Sequence, residues 1–398
     1  MSILKEKSFF KGLALGISIM LVVIIAHAFY VRNIRWGGID PNRKVMEIYG
    51  LLNEHSILPF ELDEMLESMY MGLLDGVADP YTQYFDADAL ASFRVRLEGS
   101  YVGIGVVVYV DPADRLVTVG VAYRGTPAYE AGITQGDKIV GINGVDVSTR
   151  PMEEIISLIR GQEGTSVTVT IFRPFDNTRF DAQLIRSHIE IPTVFHEMIY
   201  ENGKSIGYIL IEGFDQITPG QFVSALSELY DNGMNGLILD LRNNPGGSLG
   251  AVNRIADMLL PEGIITYLED VNGERINHYS NATYLGLPLV VLVNGRSASA
   301  SEVLSGAIRD TGVGTIVGTT TFGKGIVQNL FPLSDDTAVK MTTAKYFTPN
   351  GESIHGSGIV PHVVIEMEEI LSRQIGSLEF DEDIQLQKAV EVILSKIN

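Results

Sequence analysis

The sequence predicts a multidomain α/β protein, and three observations carry that expectation. Its 398 residues exceed one ordinary domain, and a domain per about 150 residues suggests two or three. From about residue 187 onward, apolar strand runs alternate with helical segments, the pattern of an α/β core. Residues from about 96 to 186 have a different texture, short strands broken by turns, which marks a separate β-rich unit. Hydrophobic residues make up 45% and charged residues 20%, with 16 Phe and 16 Tyr, so the body is globular, neither a solvating chain nor a coiled coil.

The first element, within residues 1–36, is apolar. From Gly12 to Val31 the only clearly polar side chains are Ser18 and His27. About 20 such residues, rising about 1.5 Å each, can cross a hydrocarbon core of roughly 30 Å, so residues 12–31 are expected to meet a membrane. Lys5, Lys7 and Lys11 precede the run, which orients the short tail to the cytoplasm and everything after Arg32 outside. Arg32 and Arg35, on the far side, oppose that orientation. Ala26-His27-Ala28 also reads as a small-x-small cleavage site, so a secreted body is the alternative to an anchor.

Residues 37–95 read as helical: Val45, Ile48, Leu51 and Leu52, then Leu62, Met65, Leu66, Met69 and Leu73 recur at spacings of three and four, and Asp79-Pro80 ends the stretch. In the unit 96–186, strands are expected at Val106-Val107-Val108, at Val117-Thr118-Val119, at Ile139 to Ile142 before the Asn143-Gly144 turn, and at Val167 to Ile171. A helix from Pro151 to Arg160 interrupts them. In 187–366, Gly236 to Leu241, Leu287 to Val293 and Gly314 to Val317 read as strands buried on both faces. Thr218 and Gln221 have the spacing of a capping box before Phe222, Leu226 and Leu229. Residues 367–398 return to amphipathic helix.

Composition excludes several functions. With 29 basic against 49 acidic residues the net charge is −20, the wrong sign for gripping nucleic acid. Without residues 1–36 the exported body would carry −24, which anionic lipid repels. Cysteine is absent, so disulfides, thiolate metal sites and cysteine nucleophiles are excluded together. The seven histidines are scattered, with no metal-binding spacing, and His355 and His362 read as loop residues. No metal or organic cofactor is expected.

Two motifs match a pattern but not its context. Gly203-Lys204-Ser205-Ile206-Gly207 fits the G-x-S-x-G string of serine hydrolases, yet Asn202-Gly203 signals a hairpin where that motif needs a strand-to-helix turn. Gly318 to Lys324 fits a phosphate-binding loop, but Gly325 stands where a hydroxyl should hold magnesium and no long helix follows.

The constellation that does suit chemistry begins at Ser297-Ala298-Ser299-Ala300-Ser301-Glu302, a turn from a buried strand into a helix. Ser299 and Glu302 have capping-box spacing, which is the structural reading. A nucleophile there would also gain N–H donors and partial positive charge from the helix terminus, and the two readings are compatible. With no suitable histidine, the base is expected to be Lys324, flanked by Gly323 and Gly325 and by the apolar Phe322, Ile326 and Val327. Desolvation would have to bring its amine from about 10.4 toward roughly 7–8. Gln328, four positions on, could orient that amine. Asp240 to Gly247 follows a buried strand, and its paired glycines can leave N–H groups facing a ligand.

Together these runs resemble the carboxyl-terminal processing peptidases (family S41), serine proteases with a Ser–Lys dyad, a PDZ domain and a core related to ClpP and crotonase. SASASE at 297–302, TFGKGIVQ at 321–328 and DLRNNPGGS at 240–248 occur in the family's order. The resemblance implies Ser299 as nucleophile, Lys324 as general base and Gln328 as its orienter. It puts the oxyanion hole on the N–H of Ala300 and of either Gly246 or Gly247. The family's Pro-Asp near the end of the core reads Pro361-His362 here, a departure that leaves these residues untouched.

Tyr101, Val102, Gly103, Ile104 and Gly105, before Val106, resemble the carboxylate-binding loop of PDZ domains, and Gly125 to Ala128, Ala131 to Ile133 and Gly136 to Ile139 extend the likeness. A peptide would add as a strand beside the helix Met152 to Ile159, and proteins or peptides with free, apolar C-termini are the expected partners. Arg160 is either an ordinary charge at a helix C-terminus or a relay from the groove to the core. The expectation is thus a single-pass protein of the bacterial cell membrane whose outer body cleaves captured tails through an acyl-enzyme. The helical ends could pack on a second subunit as a homodimer. The rivals are a PDZ scaffold on a silent core and acyl-CoA chemistry, which export disfavours.

Overall fold

The computed structural model describes residues 20–27, 41–281 and 285–397. Most of the expected membrane segment, and Ala28 with it, lies outside them. Residues 20–27 are helical, and among the described residues no helix is long and apolar enough to cross a membrane. Residues up to Tyr70 and residues from Met71 onward form two compact units. The N-terminal stretch forms helices Pro41–His55, Leu62–Asp75 and Ala87–Glu98, but it is not helical throughout. Gln83–Phe85 is a strand paired with residues 338–340.

The β-rich unit forms as expected. A two-stranded neck, Ser100–Gly103 against Ser187–Glu190, carries a sheet in the order 106–110, 117–122, 138–142, 166–173, 178–185. Asn143 and Gly144 both take positive φ at their turn, and helix Met152–Ile159 packs Ile155 and Ile159 into the sheet's core. Strand Val106–Val110 is at one edge, so one side of its backbone faces no other strand of the sheet.

The C-terminal core is a six-stranded sheet. Strands 194–201 and 204–211 form an antiparallel hairpin, and 236–240, 289–293, 314–318 and 363–364 continue in parallel. Alternate residues feed two cores. Leu237, Leu239, Val291 and Val293 meet helices 218–231, 249–259 and 300–311, while Ile238, Val290 and Leu292 meet helix Ile384–Leu394 on the other face. Burial on both sides is why these strands are unbroken apolar runs. The tail is therefore a covering layer of the core. It holds two helices, Glu369–Ser372 and Ile384–Leu394, where one amphipathic stretch was expected. A second sheet, which the sequence reading did not identify, joins strands 263–270, 275–280, 326–332 and 338–347 with 83–85.

Three loops leave the carboxyl ends of three adjacent parallel strands: 241–248 after Asp240, 294–299 after Val293 and 319–325 after Gly318. That edge is where open α/β sheets bind ligands, because chains diverge there and leave a crevice.

The capping box at Thr218 does not form. Asp215 Oδ1 accepts from the N–H of Ile217 and of Thr218, while Gln221 Oε1 accepts from Thr193 N–H at 2.9 Å. Asp215 takes the Thr218 N–H that the Gln221 side chain would have accepted, and the Gln221 N–H goes to Ile217 O at 3.2 Å, which leaves the Gln221 side chain to tie down the neighbouring strand.

Candidate active site

Ser299 stands at the N-cap of helix Ala300–Thr311 with φ 56° and ψ −113°. A left-handed φ is strained for a side chain with a Cβ, so the surroundings must hold it. They do so with hydrogen bonds: Ala298 N–H to Asn244 O at 3.0 Å, Ser297 Oγ to Leu241 O at 2.8 Å and Ser301 Oγ to Asn244 O at 3.0 Å. Ser297 and Ser301, two positions either side of Ser299, thus bolt the turn to the glycine loop. The expected capping box forms, with Glu302 Oε2 accepting Ser299 N–H at 2.9 Å.

Gly246 lies against this turn. A Cβ on it would meet Ala298 O at 2.6 Å, Ser299 Cβ at 2.8 Å and Ala300 N at 2.9 Å, so only glycine lets the loop approach the serine. Its N–H donates to Asn244 Oδ1 at 2.8 Å. Among the described residues, the N–H groups of Gly247 and Ala300 have no hydrogen-bond partner. Arg242, at the root of this loop, is fully buried. Asp240 accepts from it at 2.6 Å and Asp383, at the N-cap of the C-terminal helix, at 2.7 Å.

Lys324 is half-buried, and its amine is lowered from its ordinary value, chiefly by desolvation and then by Lys340, against the pull of Asp79 and Glu302. Its Nζ lies 4.5 Å from the centroid of the Tyr81 ring, and among the described residues it makes no hydrogen bond. Tyr81 is held by Asp79, whose carboxylate accepts Tyr81 N–H at 3.0 Å and Thr82 Oγ1 at 2.6 Å.

Gln328 does not reach the amine. Its Nε2 donates to Ile326 O and Thr342 Oγ1, both at 3.4 Å. The face-sharing argument fails because the strand begins only at Ile326, after Lys324, and a bulge between Val327 and Gln328 breaks the alternation.

The polar partners that sequence reasoning missed converge on the same place. Glu302 is fully buried. Its Oε1 accepts Thr321 Oγ1 at 2.6 Å and Gly323 N–H at 2.7 Å, and its Oε2 accepts Lys324 N–H at 2.8 Å besides that of Ser299. Tyr346 donates its hydroxyl to the carbonyls of Ser299, at 3.0 Å, and of Lys324. The signal for Glu302 was present but read only as a cap. Nothing local marks Tyr346.

In the β-rich unit, Tyr101, Gly103, Ile104 and Arg160 line a groove of about 240 Å³ with Val106, Ile156 and Ile159. Val102 and Gly105 are not in its lining. Val102 pairs with His188 in the neck, and Gly105, at φ 86°, turns where a Cβ would meet Thr126 at 2.2 Å. Burial pushes the Tyr101 phenol up to about 12, and its hydroxyl donates to Val106 O at 3.4 Å. The Arg160 guanidinium sits 5.9 Å from the Tyr101 ring centroid.

The two rejected motifs fall where expected. Ser205 follows the Asn202-Gly203 hairpin turn inside a strand, and Lys324 precedes a strand instead of a helix.

Comparison with known proteins identifies the family. Residues 205–365 match the model of Peptidase family S41, and residues 118–173 match a PDZ domain. The chain is 35% identical to a carboxyl-terminal-processing protease of Picosynechococcus, over 83% of this chain and 79% of that one. It is 32% identical to the carboxy-terminal processing protease CtpB of Bacillus subtilis, over 86% and 71%. The solved photosystem II D1 C-terminal processing protease matches at 31% identity and a TM-score of 0.47, covering 82% of this chain and 87% of that one. The chain belongs to peptidase family S41, as a serine protease of the carboxyl-terminal processing kind with a PDZ domain.

Proposed function

We propose that the protein is a membrane-tethered, extracytoplasmic endopeptidase that captures substrate C-termini in its PDZ groove and cleaves through an acyl-enzyme on Ser299, with Lys324 as base. The observation that carries this is the strained Ser299 at a helix N-terminus, with the uncommitted N–H of Ala300 next to it, the glycine loop packed on it at Gly246 and a desolvated lysine on the adjoining loop. Gly246 is already bonded to Asn244, which favours Gly247 as the second oxyanion donor.

The neutral Lys324 amine takes the Ser299 proton as Oγ attacks the scissile carbonyl, and the Ala300 and Gly247 N–H groups receive the charge on oxygen. The resulting ammonium protonates the departing amine, and water then hydrolyses the ester by the same route. In the present arrangement the amine rests on Tyr81, whose ring face favours its charged form. Catalysis therefore requires the lysine stem to turn its amine from Tyr81 to Oγ.

The edge strand Val106–Val110 and the apolar groove beside helix Met152–Ile159 suit an extended peptide with an apolar end. The apolar run 12–31, with its preceding lysines, supports the tether, and the body would work as a monomer or homodimer outside the cell.

The test is cleavage of a protein with an apolar tail by the body from Ile39 onward. Ser299→Ala, Lys324→Ala and Lys324→Arg should all be inactive, since a guanidinium does not deprotonate near neutrality. Turnover by Lys324→Arg would remove Lys324 as base, and unchanged turnover by Ser299→Ala would refute the reading altogether.

A further inference from the structure

We propose that Glu302 and Tyr346 are positioning residues that brace the backbones of Ser299 and Lys324 at a working separation. This rests on the dyad reading above and adds what holds the dyad together. Ser299 and Lys324 lie on different loops, 25 positions apart, and two side chains bond to both. The Glu302 carboxylate accepts the N–H of each, at 2.9 and 2.8 Å, and the Tyr346 phenol, with one proton, shares it between their two carbonyls. The brace therefore grips both peptide units, one side through N–H and the other through C=O.

Both members are anchored. Glu302 is on the first turn of the nucleophile's own helix and is completed by Thr321 Oγ1 and Gly323 N–H. Tyr346 is 2% exposed on strand 338–347, and its own N–H donates to Gly325 O at 3.1 Å. Four donors on one carboxylate satisfy a buried charge that would otherwise be costly. A capping role alone explains one of the four.

Glutamine at 302 is isosteric but replaces one acceptor oxygen by a donor NH₂. With the NH₂ in place of Oε2 it faces the N–H of both Ser299 and Lys324, and with the NH₂ in place of Oε1 it faces the N–H of Gly323 while the Thr321 hydroxyl can turn to accept, so the lysine loop, or the lysine loop and the serine together, loses part of its hold. Charge matters as well. The groups acting on the Lys324 amine are Lys340, Asp79 and Glu302, with the Tyr81 ring against it, and Glu302 favours the ammonium. Removing that negative charge should move the acid limb of kcat/KM to lower pH. Loss of the neutral Tyr346 hydroxyl should leave the limb in place.

The experiment measures kcat, KM and the pH profile of tail-bearing substrate cleavage for wild type, Glu302→Gln and Tyr346→Phe, with Ser299→Ala and Lys324→Ala alongside. Folding is checked by circular dichroism. We expect kcat to fall about 100-fold in Glu302→Gln and about 10-fold in Tyr346→Phe, with KM within about threefold of wild type. A folded Glu302→Gln whose kcat or acid limb is unchanged overturns the proposal. If Glu302→Gln does not fold, Tyr346→Phe decides, and a wild-type kcat there overturns it. Active Ser299→Ala or Lys324→Ala enzyme would instead refute the underlying dyad.

Discussion

Replacing Gly246 by alanine tests whether the glycine loop is an oxyanion device or only a turn. The new Cβ would lie 2.6–2.9 Å from Ala298 O, Ser299 Cβ and Ala300 N. Two of these are backbone atoms and the third is fixed to the strained Ser299, so none can swing aside. Restoring ordinary contact at 3.4 Å requires shifts of about 0.5–0.8 Å in the proposed donor Ala300 or in the loop itself. The residue also has φ 99°, which adds strain on the order of 1–3 kcal/mol. Displacing one oxyanion donor by that much should lower kcat by about 100-fold, about 2.7 kcal/mol, with little change in KM. The assay is steady-state cleavage of a tail-bearing substrate, with thermal unfolding in parallel. Gly220→Ala is the control. Nothing lies within 4 Å of its added Cβ, and inside helix Thr218–Asp231 it should gain about 0.5–1 kcal/mol of stability and leave kcat alone. A folded Gly246→Ala enzyme with wild-type kcat would refute the reasoning.

Other consequences are independent of that loop. Ile156→Glu puts a charge into the PDZ groove and should weaken binding of an apolar-ended peptide at least about 10-fold, read by fluorescence polarisation, with no change in the unfolding midpoint. Amidating the peptide's C-terminus should weaken binding to the wild type as well, and indifference to both changes would rule out tail recognition there. Asp383→Ala leaves Arg242 buried with half its carboxylate partners, and should cost about 3–5 kcal/mol in urea unfolding. A loss below about 1 kcal/mol would mean the tail helix does not secure the glycine loop.

How much of this was legible in the sequence depended on how local the physics was. The strands 236–240 and 289–293 were readable because burial on both faces leaves only apolar side chains, and the Asn143-Gly144 and Asn202-Gly203 turns because few other residues take positive φ twice. Ser299, Lys324 and the paired glycines were legible as motifs at the ends of strands. What escaped depends on contacts between distant segments. Glu302 meets Thr321, Gly323 and Lys324 some twenty positions on, and Tyr81 reaches Lys324 across the whole PDZ domain. The Thr218 capping box failed because Asp215 takes the N–H that Gln221 would have accepted, and the Gln328 expectation failed because a bulge is invisible in an alternation count. Strand 83–85 was missed because three residues carry too little period to outweigh the helices around them.

The central claim is that an uncharged Lys324 removes the Ser299 proton. The direct test is the pre-steady-state rate of Ser299 acylation as a function of pH in tail-occupied enzyme. Desolvation holds the amine below its ordinary value, so neutral lysine persists to lower pH than in a free chain, and acid restores the inactive ammonium. The account predicts a rate that rises with loss of one proton, at an apparent pKa below about 10.4, and no such limb in Lys324→Arg. A rate that is level from mildly acidic to alkaline pH, or one that Lys324→Arg reproduces, would contradict it.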